Sequence, residues 1–250
     1  MKTEVSIPTP DGAARAFVFT PDHGDGPWPA AILFMDAPAI RPAMFEMGER
    51  LAQAGYYVLL PDLFWRAGPY DPPNIAAARA GDPEAVAIFQ KLRGSTDAKR
   101  QMADTGVYLD WLKTQPKAKA DKVGVTGYCM GGGIALRAAG TFPDRIAVAA
   151  SFHGGNQATD AEDSPHLLAP KMKAKILVAG ADEDRGFDEA QCARLDAALK
   201  AAGLDAEVSI WKGARHGWVP TDMPVYNKDA AERHWRELTA LFDGVLKPAA

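Results

Sequence analysis

The segment 123–133, Val-Gly-Val-Thr-Gly-Tyr-Cys-Met-Gly-Gly-Gly, constrains this chain more than any other. An apolar run with strand character passes through Gly-x-Cys-x-Gly directly into the helix-forming run 134–139. A nucleophile set between small residues at a strand-to-helix turn is held in a strained backbone conformation, with its reactive atom above the sheet edge. Gly127 and Gly131 allow the neighbouring chain to approach closely, so the spacing predicts an elbow with Cys129 as a covalent catalyst.

Such a catalyst needs a base and a group to orient it, in the chain order nucleophile, acid, histidine. A strand-like run at 174–180 ends in Ala181-Asp182, and a second at 207–211 leads through Gly213-Ala-Arg to His216. Each candidate follows the carboxyl end of a predicted strand, where open parallel sheets present their ligand sites. Asp182 is preferred over Glu183 and Asp184 in the same acidic loop because it directly follows the strand. His216 is preferred over His23, His153, His166 and His234 by its late position, with His153 the nearest rival. In this arrangement His216 takes the proton from sulfur and Asp182 fixes its tautomer. The backbone amide after the nucleophile, Met130, would bind the oxyanion, together with one from the loop Asp36-Ala37-Pro38. Pro38 has no amide hydrogen, which leaves Ala37 as the second donor. Trp218, just beyond His216, is expected to line the pocket or to pack beneath its loop.

Hydrophobic patterning predicts strands at 4–7, 16–20, 30–35, 56–60, 122–126, 146–152, 175–180 and 207–211. Helices are predicted at 43–54, 83–92, 97–113, 132–139, 188–202 and 229–246. Alternation of the two implies an α/β fold, a mostly parallel sheet with helices on both faces. The first two strands are separated by a short turn and read as an antiparallel hairpin at the N-terminal edge. With 47% hydrophobic residues in 250, the chain is expected to form one domain over residues 1–250. Two turn-rich stretches, 65–73 and 154–170, read as loops, and the first is expected to roof the substrate site.

The net charge of −4 provides no basic footprint for nucleic acid and little attraction to an anionic membrane. The N-terminus has no apolar signal core, and no run reaches the roughly 18 apolar residues of a membrane span, so a cytoplasmic protein is expected. Cys129 is read as a free thiol and Cys192 as structural. The scattered histidines and two cysteines lack metal-ligand spacing, and the glycine run lacks the lysine and hydroxyl residue of a phosphate loop. No metal and no cofactor are expected.

Gly127-Tyr-Cys-Met-Gly-Gly132, Gly180-Ala-Asp182 and Gly213-Ala-Arg-His216 together resemble the dienelactone hydrolase family of the α/β-hydrolase superfamily, and 54–63 is similar to the strand and turn after that family's first long helix. The resemblance implies an α/β-hydrolase fold and carboxymethylenebutenolidase-type chemistry. An unsaturated lactone or related ester is opened through an acyl-thioester on Cys129, with Asp182 and His216 completing the triad. It also implies an acidic residue contacting the resting thiol, here Asp36, although the family's best-known member has the longer glutamate there. Where that family places an anion-binding arginine, four residues after the histidine, this chain has Pro220. Arg66, Arg79 and Arg93 lie upstream as other cations. The partner expected is therefore a small-molecule ester or lactone with altered specificity, dienelactone itself being a poor substrate. A monomer or homodimer is expected. The alternative reading is a non-hydrolytic sensor on the same scaffold, in which Cys129 captures electrophiles or is oxidised.

Overall fold

The computed structural model describes residues 1–247. The hairpin β1 (Lys2–Thr9) and β2 (Gly12–Phe19) is followed by β3 (Trp28–Phe34), α1 (Pro42–Gln53), β4 (Tyr57–Pro61), α2 (Ile75–Arg79), α3 (Pro83–Gly94) and α4 (Ala98–Lys113). Then come β5 (Ala118–Tyr128), α5 (Met130–Thr141), β6 (Ile146–Phe152), β7 (Lys175–Asp182), α6 (Glu189–Ala201), β8 (Ala206–Arg215) and α7 (Lys228–Leu246). The eight strands form one sheet in the order β1-β2-β4-β3-β5-β6-β7-β8. As expected, β1 and β2 pair antiparallel at the edge, and β2 joins β4 antiparallel. From β4 to β8 every pairing is parallel.

Parallel strands are covered on both faces, so they read as continuous apolar runs, and β4 is buried at every residue. Successive side chains on a strand face opposite ways. On β5, position 124 faces Phe242 and Leu246 of α7, whereas position 127 faces the backbone of α5. Helices α5 and α7 therefore lie on opposite faces. Arg50 of α1 joins Glu232 of α7 through two hydrogen bonds of 2.7 and 2.6 Å, which puts α1 beside α7.

Side chains cap most helices. Asn74, Asp82, Asp97, Asp188 and Asn227 each accept a first-turn amide hydrogen, at 2.8 to 3.1 Å. The N-cap of α5 is Cys129, whose side chain makes no capping hydrogen bond, while the Gly132 amide donates to the Cys129 carbonyl at 3.1 Å. Helix α2 was not anticipated from the sequence. Its signal was present in Asn74 ahead of Ile-Ala-Ala-Ala, a cap before good helix formers.

The core between β5, β6 and α7 holds an ionisable pair. His234 is fully buried on α7, with its Nε2 2.8 Å from the Tyr128 hydroxyl and its ring edge-on to Phe152 at 4.2 Å. Burial pushes its pKa down to about 3. Between that value and the roughly 6.5 of an exposed histidine, the unfolded chain binds a proton that the native state refuses. This contribution to stability is complete above pH 6.5 and is lost as the pH falls through the window towards 3. Urea unfolding measured from pH 7 to pH 4 is expected to show His234→Gln losing less stability on acidification than the wild type. Equal slopes would remove His234 as the source.

Candidate active site

The sheet reverses its winding between β3 and β5. The chain leaves β3 towards β4 on one side, and β5 then takes the other side, which opens a crevice beyond the carboxyl ends of the two strands. Phe34 and Gly127 are register partners, so the loop after β3 and the turn after β5 lie side by side.

That turn is the elbow the sequence predicted. Cys129 has φ 54° and ψ −114°, a conformation side-chain-bearing residues adopt at a cost of about 1–3 kcal/mol. The turn is tight enough to exclude side chains on both flanks. A Cβ at residue 127 would stand 1.9 Å from the Gly131 carbonyl oxygen, and one at residue 131 would stand 2.3 Å from that of Phe34. The Cys129 amide donates to the Phe152 carbonyl at 3.1 Å, tying the elbow to β6. The thiol is half-buried, and both cysteines are free.

His216 lies on the turn after β8, with its side chain 28% exposed. Its Nδ1 is 2.6 Å from Oδ2 of Asp184. Cys129 and His216 line the same cavity. Burial works against a charged ring here, but the hydrogen bond to Asp184 and the interaction with Cys129 outweigh it and push the His216 pKa up to about 10. Sulfur, imidazole and carboxylate thus stand in succession.

The carboxylate in that succession is Asp184, which corrects the expectation of Asp182. Asp182 still belongs to β7 and is paired with Arg215 of β8. Its carboxylate accepts from the Gly213 amide at 2.9 Å and from Lys212 at 3.3 Å, and the Gly213 amide holds its pKa below the ordinary value. Glu183, at φ 53°, then turns the chain back. The next residue projects towards His216, with its other oxygen fixed by the Gly186 amide at 2.8 Å.

Asp36 is also placed differently from the expectation. It is 2% exposed, and both its oxygens accept from Arg41, at 2.6 and 2.9 Å. No hydrogen bond joins it to Cys129 among the described residues. Burial raises its pKa above the ordinary carboxylate value, and the hydrogen bonds and charge of Arg41 oppose that rise without cancelling it. Ala37 lines the same cavity as Cys129, and Met130 follows Cys129 at the start of α5. Their amides make no hydrogen bond within the described chain, that of Met130 because it opens a helix.

A cavity of about 520 Å³ lies over Cys129 and His216. One wall is Asp36-Ala37-Pro38 with Met223. The other is formed by Ile75 and Ala78 of α2 and by Val86, Phe89, Gln90 and Arg93, which share one face of α3 at i, i+3, i+4, i+7 spacing. The expected roof, 65–73, does not line this cavity. There Arg66 is engaged with Asp104 and Asp11 instead. Arg93 reaches the cavity, while the Arg79 side chain lies outside what is described.

Trp218 is fully buried and absent from the cavity wall. It stacks on Trp211 at 5.6 Å and meets the His153 ring edge-on at 4.9 Å, so it supports the site from behind. His153 does border the cavity, with φ 40° and its ring 5.3 Å from that of His216. Burial lowers its pKa well below the ordinary value, which keeps it neutral beside the charged ring. Among the described residues there is no cluster of metal-ligating side chains, and no helix is long and apolar enough to cross a membrane.

The family model for dienelactone hydrolases matches residues 14–246. A Methylorubrum extorquens protein provisionally described as a carboxymethylenebutenolidase is 26% identical over 96% of this chain and 79% of its own length. A Synechocystis protein with the same provisional description is 24% identical over 98% of this chain and 97% of its own. Among solved structures, one from Klebsiella pneumoniae provisionally described as a dienelactone hydrolase superposes with a TM-score of 0.83 at 24% identity. It covers 97% of this chain and 98% of that one. At that identity the superposition speaks for the fold.

Proposed function

The chain belongs to the dienelactone hydrolase family, and from that premise we propose that it hydrolyses a small, largely apolar ester or lactone through an acyl-thioester on Cys129. The observation that carries this reading is the succession Cys129–His216–Asp184 beneath a cavity flanked by two unused amides. Cysteine attacks carbonyl carbon as the thiolate, and the imidazolium of His216 balances its charge. The carbonyl oxygen gains negative charge as the carbon–sulfur bond forms and is received by the Ala37 and Met130 amides, aided by the N-terminal dipole of α5.

Collapse of that intermediate breaks the carbon–oxygen bond, and His216 passes its proton to the leaving alkoxide. In a lactone that oxygen stays tethered to the acyl group. The now neutral His216 takes a proton from water, hydroxide attacks the thioester, and the carbon–sulfur bond breaks to release the carboxylic acid and restore the thiolate beside the imidazolium of His216. Asp184 holds the ring in one tautomer throughout.

The cavity volume lies within the range of small-molecule sites, and its apolar wall of Ile75, Ala78, Val86, Phe89 and Met223 suits a hydrocarbon substituent. Arg93 lines the same cavity and adds one cationic group to it. The test is burst-phase hydrolysis of p-nitrophenyl butyrate with mass spectrometry of the quenched protein. A transient acyl adduct on the wild type, and turnover at least about 10³-fold lower in a folded Cys129→Ala variant, are expected. Undiminished turnover in that variant, or only persistent or oxidised adducts at Cys129, would remove the hydrolase reading.

A further inference from the structure

Arg41 precedes α1 and touches neither sulfur nor imidazole, yet its side chain ties together the two loops that shape the cavity mouth. Its side chain is 7% exposed. Nε and Nη2 donate to Asp222 at 2.6 and 3.1 Å. Nη1 and Nη2 donate to Asp36 at 2.6 and 2.9 Å, and Nη1 donates again to the Ala39 carbonyl at 3.1 Å. A guanidinium has five N–H donors in a rigid fork, and all five are used.

Two of these anchors bracket Ala37, whose amide is unused. The segment between them is strained, because Ala39 sits at φ 70°, where side-chain-bearing residues are uncommon. Within it the Ala39 amide is already spent on the Asp36 carbonyl at 3.2 Å, and Pro38 has none. A strained loop presenting one free amide needs an outside restraint to keep that amide aimed. The third anchor, Asp222, precedes Met223 of the cavity wall, so the same side chain braces the loop after β3 against the loop after His216.

We propose that Arg41 is a positioning residue for acyl transfer, holding residues 36–39 so that the Ala37 amide stays directed at the substrate's carbonyl oxygen. The proposal rests on the hydrolase reading above. It assigns Asp36 to the same clamp, in place of contact with the thiol. It also separates two quantities: a disturbed oxyanion loop slows attack on a carbonyl, but leaves the thiol as reactive as before.

Arg41→Lys keeps a charge and loses the fork. It is compared with wild type in p-nitrophenyl butyrate hydrolysis and in alkylation of Cys129 by iodoacetamide, a displacement at saturated carbon that builds no oxyanion. The expected result is a kcat lower by about 10- to 100-fold, below the full loss of an oxyanion donor, with KM and the alkylation rate within about threefold of wild type. Asp222→Asn, which releases only the half-exposed anchor, is expected to lower kcat in the same direction by a smaller factor, and serves if Arg41→Lys does not fold. Wild-type kcat in the folded variant, or alkylation falling in step with turnover, overturns the proposal. Cys129→Ala measured alongside keeps the two failures apart. Turnover surviving in that variant removes the hydrolase reading, whereas turnover surviving only in the Arg41 and Asp222 variants removes the clamp.

Discussion

Asp184→Asn is expected to lower kcat for ester hydrolysis by about 10³- to 10⁴-fold, while Asp182→Asn changes it by less than about threefold. An amide at 184 is nearly the same shape as the carboxylate, so folding is retained. It can, however, present an N–H towards Nδ1 and so favour the wrong tautomer, and it leaves the imidazolium without a counter-charge. The pH profile carries a second signature. The hydrogen bond that His216 donates to Asp184 is among the effects that raise the pKa of His216 to about 10. The proton needed by the leaving group is therefore retained up to that pH in the wild type. Without the carboxylate the alkaline limb of kcat is expected to move down towards the ordinary histidine range. Asp182 already spends its carboxylate on Gly213 and Lys212, away from the ring. A large loss in Asp182→Asn with an active Asp184→Asn would reverse the assignment.

Gly131→Ala is expected to destabilise the fold by about 3 kcal/mol or more and to abolish measurable turnover. The added methyl would lie 2.3 Å from the Phe34 carbonyl oxygen and 2.7 Å from that of Met35, and both obstacles are backbone. No rotamer change relieves such contacts. Either β3 or the first turn of α5 must shift, which carries the Ala37 loop away from the thiol. Gly133→Ala, one turn position further on, is the control. Its nearest neighbours stand 3.6 Å away or more, and exchanging a helical glycine for alanine is worth up to about 1 kcal/mol. Thermal unfolding of the two variants should move in opposite directions. At about 2–4 °C per kcal/mol for a chain of this size, the gap is readily measured. A Gly131→Ala protein with wild-type melting and turnover would show that the elbow is looser than its coordinates.

Much of this arrangement was legible in advance because it is written in local chemistry. The elbow announces itself through glycines at 127 and 131, where backbone must meet backbone. The mostly parallel sheet and the edge hairpin follow from apolar runs and from the length of their connections. His216 was identifiable by its place after the last strand. The misassignments share one cause. Asp182 and Asp36 were each placed by nearness in sequence to a strand end, and nearness says nothing of where a side chain is drawn by partners elsewhere. Asp36 is claimed by Arg41 and Asp182 by β8, while of the two places open to Trp218 the structure takes the packed one, against Trp211 and His153. The cavity wall of α3 carried a readable signal, Val86, Phe89, Gln90 and Arg93 on one face, but amphipathic spacing does not reveal which surface the face meets.

Residue order alone thus determined the family and the sheet, and it singled out the sulfur and the imidazole proposed to react, since each depends on backbone constraints that a short motif encodes. Only the tertiary structure decided which carboxylate serves the ring, what Asp36 is paired with and which helices wall the cavity. Those outcomes turn on hydrogen bonds between residues as far apart as Arg41 and Asp222, where a turn of one or two residues redirects a charge by the full width of a side chain.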